Sequence, residues 1–203
     1  YPLDSNTVVT VTATPAAGYG FVKWTGNVPD VRQYDAVLPL HTDRTRAVAA
    51  VFATAIYVTT NGLASADGTS WANATTLTHA LELASDSEVN VLVFSNGVYQ
   101  LAAIYLIDKP VVVRGISGDF NDVVLHCTGG NRAAVKVTNG GAVLTALTVQ
   151  NGCSWDHWVP PQAGNVWMPS GGTLANCRIT KNRQSSVNRC GAVFRSNGKI
   201  YRC

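Results

Sequence analysis

Carboxylates all but disappear from the second part of this chain: residues 123–203 hold one, Asp156, out of twelve in the 203-residue sequence. That scarcity excludes most hydrolytic chemistry there. Lysis of a polysaccharide needs a carboxylate cluster for Ca²⁺ and a base, and hydrolysis needs two carboxylates facing one groove. Asp119 and Asp122, just upstream in GDFND, read as a turn. No catalytic residue is assigned, and the chain is read as a non-enzyme. The four histidines (41, 79, 126 and 157) are scattered and no CxxC occurs, which argues against a structural zinc site. Phosphate loops and Ser/His/Asp arrangements are missing too, so neither metal nor cofactor is expected. No apolar run approaches the roughly 18 residues of a membrane span. The chain starts at Tyr1 without a signal-like run, so a processed form or a fragment is expected.

What remains is apolar and β-prone. Hydrophobic residues make up 46% of the chain and charged residues 13%, enough to bury a core and too little charge for disorder. Val, Thr, Ala, Gly and Asn dominate, a mixture that favours strands and tight turns. Charge is segregated. Residues 1–122 carry eleven acids against six Lys/Arg, whereas residues 123–203 carry nine Lys/Arg against Asp156. The basic tail reads either as a solvated face or as an attraction to an anionic partner. Nucleic acid is not expected, because no recognised binding motif appears.

Residues 7–14 (TVVTVTAT) read as a strand broken by PAAGYG. Phe21–Trp24 resumes it, Gly26-Asn27 turns, and Tyr34–Leu38 and Arg46–Phe52 read as further strands. The pattern VTVTATPAAGYGFVKWTGNV followed by AVAAVFA resembles the divergent internalin-B-type B repeat over about residues 7–53. The resemblance implies a surface protein and gives Trp24 a place in the core. The first domain is set at 1–54 and the second at 55–203, with residues 54–56 as a short join.

The second region holds one good helix, LTHALELA, with Leu77, Ala80, Leu81 and Ala84 on one face and Thr75 or Thr76 as its cap. Short strands follow, separated by Gly and Asn turns, and then the chain repeats itself. Leu144–Asn151 matches Leu174–Asn182, and Gly164–Asn182 matches Gly191–Cys203. Leu174 to Ile200 and Cys177 to Cys203 are each 26 residues. Such a period is the mark of a solenoid, because one coil cannot bury its own apolar face. Leu147, Cys177 and Cys203 would form one stacked inward column, Val166 and Val193 another, and Val149 and Ile179 a third.

Tyr57 through Gly62, DGTSW at 67–71, the helix, Val93–Tyr99 and KPVVVRG at 109–115 resemble the start of right-handed parallel β-helices of the pectate-lyase-like superfamily, and more narrowly of surface repeat and polymorphic outer-membrane proteins. The expected fold class is therefore all-β: a right-handed parallel β-helix with an N-terminal capping helix, preceded by a small β-rich repeat domain. The expected role is an extracellular structural or adhesive module, a rigid stalk or a fibre subunit, located outside the cell or on its surface. The chain stops at Cys203 in mid-coil, so either it continues or a second copy covers the edge head to tail. Arg178, Lys181, Arg195, Lys199 and Arg202 are the candidate residues of that edge. The alternatives are carbohydrate binding and a fragment of a polysaccharide lyase or hydrolase whose site lies elsewhere. For carbohydrate, Trp155, Asp156, His157 and Trp158 are the candidates: the indoles would stack on sugar rings of a cell-surface or matrix polysaccharide, or else pack back on the coil. The five cysteines read as buried thiols or as bonded, with Cys153 and Cys190 a candidate disulfide.

Overall fold

A computed structural model describes residues 7–129, 133–152, 165–181, 192–195 and 197–203. The chain is all-β with curled sheets. The first strands are β1 (Val8–Thr12), β2 (Tyr19–Gly26), β3 (Val37–His41) and β4 (Val48–Val58). β1 pairs antiparallel with β3, and β2 antiparallel with β4. Between these layers Phe21, Trp24, Leu38 and Ala13 form a small core. Trp24 is buried, and its indole N–H donates to the Asp35 carbonyl at 2.7 Å. The strand expected at Tyr34–Leu38 begins only at Val37. The backbone of Gln33 and Asp35 is instead drawn onto Trp24, whose own N–H donates to Gln33, and a 3-10 turn at Asp30–Arg32 precedes it.

β4 does not end where the first domain was expected to end. Its residues Val48–Thr54 face β2, and Ala55–Val58 then pair in parallel with the next strand, β5 (Asn90–Phe94). The expected join at 54–56 lies inside this continuous 11-residue strand. AVAAVFATAIYV contains no Gly or Pro to break it.

From β5 onward all strand pairs are parallel. The strands are β6 (Gly97–Leu101), β7 (Tyr105–Ile107), β8 (Val111–Gly115), β9 (Val123–Cys127), β10 (Val135–Val137), β11 (Val143–Gln150), β12 (Val166–Met168), β13 (Thr173–Thr180), β14 (Val193–Arg195) and β15 (Lys199–Tyr201). They fall into three stacks. One runs β4-β5-β8-β11-β13-β15, a second β6-β9 and the later halves of β11 and β13, and a third β7-β10-β12-β14. In the first stack Ile56, Leu92, Val113, Leu144, Leu174 and Ile200 stand side by side on successive strands. The first five share one core with side chains of the other two stacks, while Ile200 is exposed. Val166 pairs with Val193, and Val149 with Ile179.

β11 and β13 change stack by a bend at a left-handed residue. Ala146 (φ 55°) and Asn176 (φ 50°) occupy the same corner of successive strands, and Arg202 (φ 51°) follows β15 there. Asn suits this conformation, whereas Ala146 pays a steric cost for it.

The helix α1 (Leu77–Leu83) starts at Thr76, whose hydroxyl accepts the His79 N–H at 3.3 Å. Ala80 and Ala84 enter the main core, and Leu77 and Leu81 pack against it. The Lys109 ammonium donates to the Ala84 carbonyl at 2.7 Å and pairs with Asp86 at 3.1 Å. This supplies the cation that a helix C-terminus favours.

β5 and β8 are buried on both faces. Inward residues Leu92 and Val113 join the main core. Outward Val91, Val93 and Val112, with Ala55 and Val143, pack against Val22 of β2 and against Tyr34 and Tyr57. The N-terminal unit therefore lies on the outer side of the first stack. It sits so close that a Cβ on Gly20 would come 2.5 Å from the Val91 Cβ.

Candidate functional site

Among the described residues, the sequence-assigned side chains do not converge on one place. Trp155, Asp156, His157, Trp158, Cys153 and Cys190 lie outside the described residues. Among the described residues β15 and β14 are the outermost strands of their stacks, and the basic residues reach this region unequally. Lys199 is exposed on β15, in register with Thr173. Arg195 of β14 is in register with Met168, a buried position one strand below. Arg178 and Lys181 belong to β13 and its end, an interior strand between β11 and β15. Both are exposed, and the Arg178 guanidinium donates to the Asn121 side chain at 3.3 Å. Arg202 turns back to the N-terminal unit and forms an ion pair with Asp35, which also faces Arg32 at 3.5 Å. Arg178 and Arg202 thus do not stand on a free edge: each is engaged sideways by its own chain.

Leu147 pairs with Cys177, and the Cys177 backbone N–H donates to the Cys203 sulfur at 3.4 Å. Cys127 and Cys177 are buried free thiols and Cys203 is an exposed one. A hydrogen bond from Cys177 draws the Cys203 thiol down to about 7 against the opposing effect of its partial burial. Burial pushes Cys177 up.

Sequence reasoning passed over the most unusual buried group. Arg114 ends the run Val111-Val112-Val113 on β8, and alternation points it outward, under the N-terminal unit. It is 6% exposed. Its guanidinium donates to the Phe21 carbonyl at 2.7 Å and lies 5.1 Å from the centre of the Phe21 ring. Desolvation pulls its pKa down to about 10, partly offset by Asp35, so it remains a cation at neutral pH. An arginine closing three valines on a strand was the available signal, since such a side chain needs either water or a covering surface. On one side of Arg114 a cleft of ≈ 260 Å³ is bordered by Tyr19, Tyr57, Trp71 and Ile116, with Tyr57 and Trp71 in edge-to-face contact at 4.7 Å. Among the described residues no group of three or more His, Cys, Asp or Glu could hold a metal ion, and no helix is long and apolar enough to cross a membrane.

Residues 2–56 match the family described as the Divergent InlB B-repeat domain. No curated protein and no solved structure matches the chain. The match ends inside β4, at Ile56, the first member of the long apolar row that runs to Ile200.

Proposed function

We propose that the chain is a non-enzymatic extracellular structural or adhesive module, a rigid stalk or fibre subunit. In this reading the three parallel stacks are the faces of a right-handed parallel β-helix, α1 covers its first end, and the B-repeat unit is clamped to its side. The observation that carries the reading is the unbroken row Ile56, Leu92, Val113, Leu144, Leu174, Ile200. Stacking strands about 4.8 Å apart extends a molecule in one direction while keeping every inner side chain against a like neighbour. The last member, Ile200, is 39% exposed on the outermost described strand. An apolar position there suits a further strand in the same register, and a second copy can supply one by a head-to-tail contact, which propagates.

Divergent InlB B-repeats are found on bacterial surface proteins, which supports placing the module outside the cell. Charge favours the same assembly. Residues 57–122 carry seven acids against Lys109 and Arg114, while Lys199 stands exposed on the outermost described strand. The test is sedimentation velocity and negative-stain electron microscopy of the purified chain. They are run at about 0.1 M and about 1 M NaCl, where the Debye length falls from about 10 Å to about 3 Å. End-to-end species that grow with concentration and dissolve in high salt are expected. A monomer at every concentration in both buffers overturns the head-to-tail assembly.

A further inference from the structure

A second cleft, of ≈ 290 Å³, opens on the other side of Arg114, between the N-terminal unit and the stacked strands. Arg32 and Asp35 approach it from the N-terminal unit. Arg114, Thr145, Asn176 and Arg202 approach it from β8, β11, β13 and the corner after β15. Charge in this cleft does not balance. Three guanidinium groups face one carboxylate, and Asp35 is already shared between Arg32 and Arg202. Two positive charges are left over, one of them on a side chain almost wholly out of water.

Hydrogen bonding does not balance either. Among the described residues the Arg114 guanidinium makes one hydrogen bond, to Phe21, and so leaves four of its five N–H groups without an acceptor. Thr145 is 1% exposed and lines the same cleft, and its hydroxyl makes no hydrogen bond among the described residues. Asn176 uses its side-chain amide on the Gly118 carbonyl at 3.1 Å and keeps a second N–H. A buried cation or hydroxyl without partners is costly, and a folded chain retains such groups where something else satisfies them. These groups come from both parts of the chain, so the site exists only where the two pack together.

The geometry points to a binding site for a dianionic oxyanion, a sulfate or phosphate group, seated between Arg114, Arg202 and Arg32 with Thr145 and Asn176 as neutral donors. Guanidinium forks match such oxygens in pairs, and a dianion cancels the two uncompensated charges. The cleft lies at the small end of ligand pockets, so it has room for a free ion or for the same group as an ester on a sugar. The assignment is independent of the stalk reading, since it concerns the side of the molecule and not its ends.

Isothermal titration of the whole chain tests it, with sodium sulfate, sodium phosphate and a monosulfated disaccharide at ionic strength fixed by NaCl. One saturable site for sulfate or phosphate over chloride is expected. Tighter binding of the disaccharide marks an ester as the source, and equal binding marks the free ion. Asn176→Asp places a carboxylate in the cleft at the expense of one hydrogen bond, that to the Gly118 carbonyl, and its left-handed backbone accepts Asp. It should weaken binding roughly tenfold or more, equivalent to about 1.4 kcal/mol, while circular dichroism still shows a folded chain at the temperature of the titration. Arg114→Met should abolish binding. If that variant fails to fold, the Asn176→Asp comparison still decides. Absence of saturable binding beyond chloride overturns the site, as does equal affinity in Asn176→Asp.

Discussion

The row of apolar side chains through the first stack makes a quantitative demand on two neighbouring positions. Leu174 and Ile200 are in register and similar in size, but Leu174 is 0% exposed between Leu144 and Ile200, whereas Ile200 has a described neighbour on one side and is 39% exposed. Truncation of Leu174 to Ala removes buried methyl groups and leaves a cavity walled on every side, a loss of about 3–4 kcal/mol. Truncation of Ile200 to Ala removes groups that water already reaches and leaves no closed cavity. Its loss should be about 1 kcal/mol, mostly reduced transfer free energy. For a chain of this length about 1 kcal/mol shifts the melting midpoint by about 2–4 °C. Leu174→Ala should therefore melt roughly 6–16 °C lower than the parent, and Ile200→Ala roughly 2–4 °C lower. Urea titrations with a common m-value provide the free energies independently. Dilute protein is required, because a second copy seated on β15 would protect Ile200. Equal losses for the two variants at low concentration would refute the reasoning. They would mean that Ile200 is as enclosed as Leu174, and that the row does not thin out at β15.

Two further outcomes follow from close contacts elsewhere. With its pKa drawn to about 7 by the Cys177 thiol, Cys203 should react with iodoacetamide at a rate that rises through pH 7 and levels off above pH 8. Peptide mapping should find Cys127 and Cys177 unlabelled in the folded protein, and Cys177→Ala should move the Cys203 midpoint up toward its ordinary value of about 8.5. An unshifted profile in that variant removes the thiol pair as its cause. Gly20→Ala would drive a methyl group to 2.5 Å from the Val91 side chain and should cost about 1–3 kcal/mol. Adding Val91→Ala should recover part of that loss, a coupling that urea melts of the single and double variants would measure; strict additivity would place Gly20 away from β5.

Much of the strand order was legible because stacking imposes a simple rule: the same kind of residue returns to the same place. Leu144–Val149 and Leu174–Ile179 match for that reason, and their register puts Val149 beside Ile179 and Leu144 beside Leu174. Helix α1 was legible from its i, i+3, i+4 face and its Thr cap. The lateral packing was not. Val91, Val93 and Val112 interrupt the alternation expected of a strand with one wet face, which says that something covers them. Nothing local says that the cover is β2 with Tyr34 and Tyr57. For the same reason the basic tail was misleading as a unit. Arg178 and Arg202 belong to one basic stretch of sequence, yet the left-handed corner at Arg202 sends it to Asp35, 167 residues away in sequence. Arg114, read at first as part of a strand motif, is a buried cation bonded across the junction to the Phe21 carbonyl, and its surroundings were not legible because residues far upstream build them.

The single strand β4 also sets how the molecule would carry a load. A tether that pulled on the N-terminal unit along the direction of β4 would meet the β2–β4 and β4–β5 ladders lengthwise, with many hydrogen bonds strained at once. Peeling the same ladders from one end would break them one after another. Force applied in the first direction would pass into the stacked sheets without a hinge to absorb it.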